Sequence, residues 1–372
     1  MKSSCGQYYI GLDHLRALAA FMVFSWHMFY EMFHSYQDPS FFPLSLFNEG
    51  HTGVALFMTL SGYLFAKLLA GKKIKYTAFF WNRFIRLAPL MVFVLSIVGI
   101  QKYWSGESLY PYFIQIRDGM IEPVLPNGGW SITVEWHFYL MLPLLLFLMR
   151  KSKYALAITV GVAFLLRIFL QKEYGDLQWF SYWTIFGRID QFLLGMIAYQ
   201  CRAFITGRHY LVAGSILAFS IFYWYFDKAA GFWFNPSYPS NRFVWVYLST
   251  VEGFVYALLI AWYDSSFSHS TGKVSQFIAK IGTYSYSIYL LHFFFYQKMV
   301  ALMATYIMPA SNLYMAFCYS VLGFLMMVPI GFLSFRFIES PFLKLRTKYL
   351  ITAQAPVVLE KDSEIRTESM AA

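Results

Sequence analysis

Between residues 14 and 338 the sequence is a close succession of apolar runs, each of the length that crosses a lipid bilayer. A helical span takes about 20 mostly apolar residues to bridge roughly 30 Å of hydrocarbon. By that measure the runs fall near 14–34, 53–70, 84–103, 130–149, 154–170, 179–200, 209–227, 243–263, 284–307 and 312–338. Such runs fold as helices, because amides in hydrocarbon find no water and must bond within their own segment. Charged residues make up only 13% of the chain, against about 25% in a typical soluble domain. The expected fold class is all-α: a polytopic transmembrane helix bundle of about ten spans.

No Pro- or Ser-rich linker divides the chain, so residues 1–350 read as one membrane domain. Residues 351–372 turn polar and lack aromatics, the composition of a disordered tail. The opening MKSSCGQYYIGLDHLR is too polar for a signal peptide, and the first apolar run is expected to stay as a helix. Cys5, Cys201 and Cys318 lie far apart, which suggests neither a disulfide framework nor a zinc site, and no metal is expected. No internal repeat recurs at a fixed period, which weakens a transporter reading, since many transporter folds are built from repeated halves.

The net charge of +10 raises the question of nucleic acid, and the placement of the charges answers it. With the amino end in the cytoplasm, one set of loops holds Lys72, Lys73, Lys75 and Arg83, then Arg150, Lys151 and Lys153, then Arg202 and Arg208, then Lys273 and Lys280. Lys344, Arg346 and Lys348 follow at the carboxyl end. The opposite loops hold only Lys102, Arg117, Lys172, Lys228 and Arg242, so the positive-inside rule puts both termini in the cytoplasm. The basic charge is topology, and no nucleic-acid partner is expected. Trp104, Trp130, Trp179 and Trp233 fall near outer ends, where indole rings favour the headgroup layer.

Titratable side chains at membrane depth are costly and mark candidate sites. Here they are His27, Glu135, His137, Asp190 with its neighbour Arg188, Glu252 and His292. Glu252 and the Asp190–Arg188 pair read first as structural, while His292 admits a polar contact or a buried structural role. Arg16, Arg83, Arg86 and Arg336 sit near cytoplasmic ends. Arg16 and His27 carry the most weight. Eleven residues at about 100° each return the second side chain to within about 20° of the first while climbing roughly 16 Å, so one face of the first helix presents both. A long anionic cofactor entering reactive end first would touch an arginine, suited to phosphate, and then a histidine, suited to general-base work. Arg83 and Arg86, three apart on one helix, thicken the positive field at that mouth, and a kink at Pro89 would make room for a ligand.

Taken together, these segments resemble the membrane acyltransferase-3 (acyl_transf_3) family of O-acyltransferases, from about Tyr9 to Phe342. GLDHLRALAAFMVFSWH carries Asp13, Arg16 and, after ten residues, His27. GHTGVALFMTLSGYLFAKLL supplies Gly53, Val54, Phe57, Ser61 and Gly62, small residues that also allow close helix packing. NRFIRLAP matches at Arg83, Arg86 and Pro89, and WSITVEWHFYLMLP at Trp130, Glu135, Tyr139 and Pro143. YSYSIYLLH ends at His292, and FIESP holds Glu339 and Pro341. His14, Met58 and Thr59 depart from the family pattern.

The resemblance implies a multi-pass protein of the cell (inner) membrane, surrounded by lipid, that moves an acyl group, commonly acetyl, from acyl-coenzyme A to a hydroxyl of a cell-envelope carbohydrate or other acceptor. Arg16, Arg83 and Arg86 would hold the donor's phosphates. His27 would act as base, directly or through an acyl-histidine, and Glu135 would orient His27 or bind the acceptor. Asp13, Ser61, Tyr139 and His292 would contact substrate. Some members continue into a soluble esterase-like domain. This sequence ends after its short tail, so transfer is expected to be completed by the membrane domain or a separate partner. A transporter or flippase for a small molecule or lipid-linked sugar stays open as an alternative, as does an envelope-assembly or sensory membrane protein.

Overall fold

The computed structural model describes residues 8–34, 42–234 and 238–351. The polar tail expected over 351–372 lies, apart from its first residue, outside the described residues. The main helices are α1 (Ile10–Phe33), α2 (Thr52–Leu69), α3 (Tyr76–Trp104), α4 (Trp130–Lys151), α5 (Ala155–Tyr174) and α6 (Ile185–Gln200). α7 (His209–Lys228), α8 (Val244–Ser266), α9 (Lys273–Thr283), α10 (Ser285–Leu291), α11 (Tyr296–Tyr306) and α12 (Leu313–Ser334) follow.

Among the described residues, seven helices are long and apolar enough to cross a membrane: α2, α3, α4, α5, α7, α8, and α12 with its continuation to Leu343. The pair α10 and α11, bent by 65° around a 3-10 turn at His292–Phe294, makes an eighth if it counts as one span. The two remaining apolar runs form α1 and α6. α1 carries Asp13 and Arg16 in its first two turns, and α6 has only 16 residues. α6 is short because Thr184 breaks the 179–200 run: its hydroxyl accepts from the Gly187 N–H at 3.2 Å and caps the new helix.

α1, α2, α6 and α8 form the interior, while α5 and α7 turn most of their surface outward. The exposed outer face includes Val92, Leu144, Val162, Leu165 and Leu217, as a lipid-facing surface requires. The small residues of α2 allow close approaches to its neighbours. A Cβ at Gly62 would stand 1.9 Å from the Phe192 carbonyl oxygen of α6, and one at Gly53 would stand 2.6 Å from the Ala19 carbonyl of α1. His14 bridges out of α1 to Tyr263 Oη and the Ser275 carbonyl, each at 2.9 Å, which explains a polar ring at that position.

Not every polar group falls where spacing suggests. Asp190 does not pair with Arg188: residues two apart on a helix point to different sides, and Asp190 instead meets Arg167 of α5 at 2.7 Å, both fully buried. Arg188 bonds Gln191, which donates to Glu252 at 2.9 Å, and Glu252 also accepts from Tyr223 at 2.7 Å. This network ties α5, α6, α7 and α8 together. Trp130 is also not an interfacial anchor. It is buried against Tyr182 and Trp183, whereas Trp104 and Trp179 are exposed.

Two features at the far end position the site. After α12 the chain makes a π-helical turn, Phe335–Glu339, directly ahead of Pro341; proline lacks the N–H an α-helix needs there, and the widened turn absorbs the loss. Leu350–Ile351 then pairs antiparallel with Lys73–Ile74. The Asn82 amide donates to the Thr347 carbonyl at 2.7 Å and accepts from the Thr347 N–H at 2.9 Å. The carboxyl segment is thereby laid back along the start of α3.

Candidate active site

A cavity of about 240 Å³ opens among α1, α2, α3, α4 and α10, at the end of the bundle where the carboxyl segment folds back. α1 contributes Asp13 and Arg16, α2 Phe57 and Ser61, α3 Arg83 and Arg86, and α4 Ser131, Glu135 and Tyr139. Tyr289 comes from α10, and Arg346 and Tyr349 from the carboxyl segment. Seven residues proposed from sequence therefore share one cavity: Asp13, Arg16, Ser61, Arg83, Arg86, Glu135 and Tyr139.

Each charge in the cavity has a definite setting. Arg16 donates to the buried Asp13 carboxylate one turn away. Arg86 pairs with Glu339 at 3.1 Å, and the π turn is what brings that carboxylate inward, where Ser287 also donates to it. Tyr139 donates to Glu135, its neighbour one turn down the same face of α4. The Arg83 guanidinium packs over the Phe65 and Phe79 rings, with Nε shielded from water and without a hydrogen-bond acceptor among the described residues. Arg346 Nε is in the same condition. Burial, with the cations Arg86 and Arg83 beside it, pulls the Arg346 guanidinium down to about 10. α3 passes unbroken through Pro89.

His27 and His292 do not line this cavity. They form a pair beyond its inner end, with His292 one turn past Tyr289. His27 Nδ1 lies 2.8 Å from the Val23 carbonyl oxygen, and His292 Nδ1 lies 2.7 Å from that of Tyr289. A carbonyl only accepts, so both rings carry their proton on Nδ1. His292 Nε2 then presents a lone pair to the His27 Nδ1–H at 3.3 Å. His27 Nε2 is left with an available lone pair, and no hydrogen bond engages it among the described residues. Phe293 and Tyr296 pack around the His27 ring. Phe57 and Tyr289 both line the cavity with ring centroids 6.2 Å apart, and the Tyr289 ring lies 6.2 Å from that of His292. Ser131 Oγ donates to the Tyr289 hydroxyl at 2.8 Å.

Residues 9–336 match an acyltransferase domain (Acyl_transf_3). The chain belongs to the acyltransferase-3 family. This acyltransferase is 24% identical over 314 residues to acyltransferase MdmB of Streptomyces mycarofaciens, an alignment covering 76% of the chain and 77% of that protein. It is 25% identical over 197 residues to peptidoglycan O-acetyltransferase OatA of Listeria monocytogenes, covering 45% of the chain and 29% of OatA. To O-acetyltransferase OatA of Staphylococcus aureus it is 26% identical over 177 residues, covering 40% of the chain and 26% of that protein. No solved structure matches the chain.

Sequence reasoning on this acyltransferase missed several members of the site. Glu339 was visible as part of FIESP but not as the partner of Arg86, because the contact depends on the π turn. Arg346 read as one more cytoplasmic positive charge. Ser131 and Tyr289 sat inside motifs without a role. Among the described residues no group of three or more His, Cys, Asp or Glu is arranged to hold a metal ion.

Proposed function

We propose that this acyltransferase moves an acyl group, acetyl in the first instance, from acyl-coenzyme A at the cytoplasmic face to a hydroxyl of a cell-envelope carbohydrate. The carrying observation is that one helix, α1, leads from an arginine-lined cavity to a histidine with an available ring nitrogen. The identity of the OatA relatives as O-acetyltransferases supports the reaction class. The basic loops support a ten-span arrangement in the inner membrane, with α1 and α6 among the spans and both termini cytoplasmic.

In this reading Arg16, Arg83 and Arg86 hold the donor's phosphates through charge-assisted hydrogen bonds. The cavity is smaller than the roughly 300–1,000 Å³ that buries drug-sized ligands, so it takes the slender arm of a long donor and leaves the bulky end in the mouth. The thioester passes Phe57 and Tyr289 to reach His27. His27 Nε2 takes the acceptor's hydroxyl proton as the oxygen attacks the thioester carbonyl. The carbon–sulfur bond then breaks, and the thiolate takes the proton from the imidazolium and leaves as free coenzyme A. A positioned base of this kind contributes about 10²–10⁴ in rate. Glu135 and Tyr139 belong to the donor side, since no hydrogen bond joins Glu135 to His27 among the described residues.

The test is turnover of acetyl-coenzyme A by purified protein in nanodiscs, with a carbohydrate hydroxyl acceptor. Parent and His27→Ala are compared after both have shown the same thermal unfolding. Turnover that falls at least a hundredfold in the variant supports the reading; equal turnover in both removes His27 from the chemistry.

A further inference from the structure

The cavity has a fourth arginine that lies beyond the region matched by the family, which ends at residue 336. Arg346 reaches the cavity wall because the carboxyl segment is tied down at several points. The reciprocal Asn82–Thr347 pair holds one side, and the Lys75 N–H donates to the Tyr349 carbonyl at 2.8 Å. Leu350 and Ile351 close the two-stranded pairing. Tyr349 is buried edge-on against Phe79. These are many bonds to spend on a segment whose only charge on the cavity is Arg346.

The charges around it do not balance locally. Arg16 has Asp13 and Arg86 has Glu339, and Glu135 accepts from Tyr139. Arg83 and Arg346 face the same space, each with Nε shielded and without an acceptor among the described residues. A shielded guanidinium nitrogen without an acceptor forfeits a hydrogen bond worth more than an ordinary one. Two such forks on one wall match the geometry of a phosphoryl group, which a planar guanidinium grips through two parallel N–H bonds.

We propose that Arg346, delivered by the folded-back carboxyl segment, is a ligand of a phosphoryl group in this cavity and acts together with Arg83. The inference rests on the acyl-coenzyme A reading for the identity of the donor, though not for the chemistry of the site. In that setting the carboxyl segment is a wall of the donor site, and donor affinity depends on residues outside the family domain.

The experiment measures binding of coenzyme A and, separately, of inorganic pyrophosphate to the full chain in nanodiscs, for the parent, Arg346→Gln, Arg346→Lys and Lys344→Gln. Lys344 is exposed in the same segment and controls for loss of one positive charge. Unfolding curves for each variant separate a binding defect from a folding one. The expected result is a loss of about tenfold to a hundredfold in coenzyme A affinity for Arg346→Gln, a smaller loss for Arg346→Lys, which keeps charge without the fork, and parent affinity for Lys344→Gln. In turnover, donor KM rises and kcat at saturating donor holds. Parent-like binding by Arg346→Gln overturns the inference and leaves the acyl-coenzyme A reading standing. Arg346-dependent binding of pyrophosphate without binding of coenzyme A keeps the phosphoryl site and overturns the donor reading. Binding of neither probe by the parent overturns the site.

Discussion

His292 Nε2 lies 3.3 Å from His27 Nδ1, joining α1 to the break between α10 and α11. With the Val23 and Tyr289 carbonyls fixing both protons, His292 is an acceptor that holds the His27 ring in one orientation. Replacing His292 by Ala leaves the Val23 bond to do this alone. We expect kcat to fall about tenfold, consistent with the loss of one hydrogen bond of about 1 kcal/mol or slightly more, with donor KM unchanged. The nitrogen-15 shifts of His27 report the outcome directly: the Val23 carbonyl keeps the proton on Nδ1 in the variant, and loss of the second acceptor shifts the Nδ1 resonance. An unaltered Nδ1 shift together with unaltered kcat removes the positioning role.

Glu135 shares the cavity with Arg83 and Arg86 and is held by Tyr139. If it belongs to the donor side, Glu135→Gln removes a negative charge from a site that binds an anion. Donor KM then falls by a few fold while kcat stays within about threefold, read from steady-state turnover at varied acyl-coenzyme A. A collapse of kcat by a hundredfold or more instead places Glu135 in the proton transfers.

Phe57 lines the cavity beside Tyr289, whose ring in turn lies 6.2 Å from that of His292. Truncation to Ala opens space where the acyl end of the donor arrives. Discrimination by one methylene in an apolar pocket is worth about 1–3 kcal/mol, so the ratio of butyryl to acetyl transfer should rise about tenfold or more in Phe57→Ala. An unchanged ratio would put the acyl group elsewhere.

Stability has its own test at Gly62, where an added Cβ meets the Phe192 carbonyl at 1.9 Å and neither backbone can yield without moving a helix. Gly62→Ala should cost at least the 1–3 kcal/mol typical of overpacking, seen as a lower unfolding temperature in detergent. Ala at Gly161, which meets nothing within 4 Å, should leave that temperature within a degree or two.

The legible part of this molecule was what a single helix can carry. The apolar runs all became helices, and Arg16 and His27 share a face of α1 by periodicity alone. What sequence could not supply was contact between elements. Arg188 beside Asp190 suggested a pair, yet the partner of Asp190 is Arg167, 23 residues earlier and on another helix. The 284–307 run gave no sign of its 65° bend, because no proline or glycine marks it; the His292 ring bonds the Tyr289 and Ile288 carbonyls where α10 ends. His27 is absent from the cavity lining, which Phe57 and Tyr289 reach from separate helices.

The π turn at Phe335–Glu339 amounts to one residue more than an α-helix would use over the same path. The same five residues wound as regular α-helix would rotate everything after them by about 100°. Glu339 would swing off Arg86, and the strand that carries Arg346 would lose its register with Lys73 and Ile74. Two segments more than 250 residues apart are thus kept in phase by one wide turn; deleting one residue across 335–339 would let regular helix follow the same path and keep donor affinity, whereas inserting one would turn the carboxyl segment and lower it.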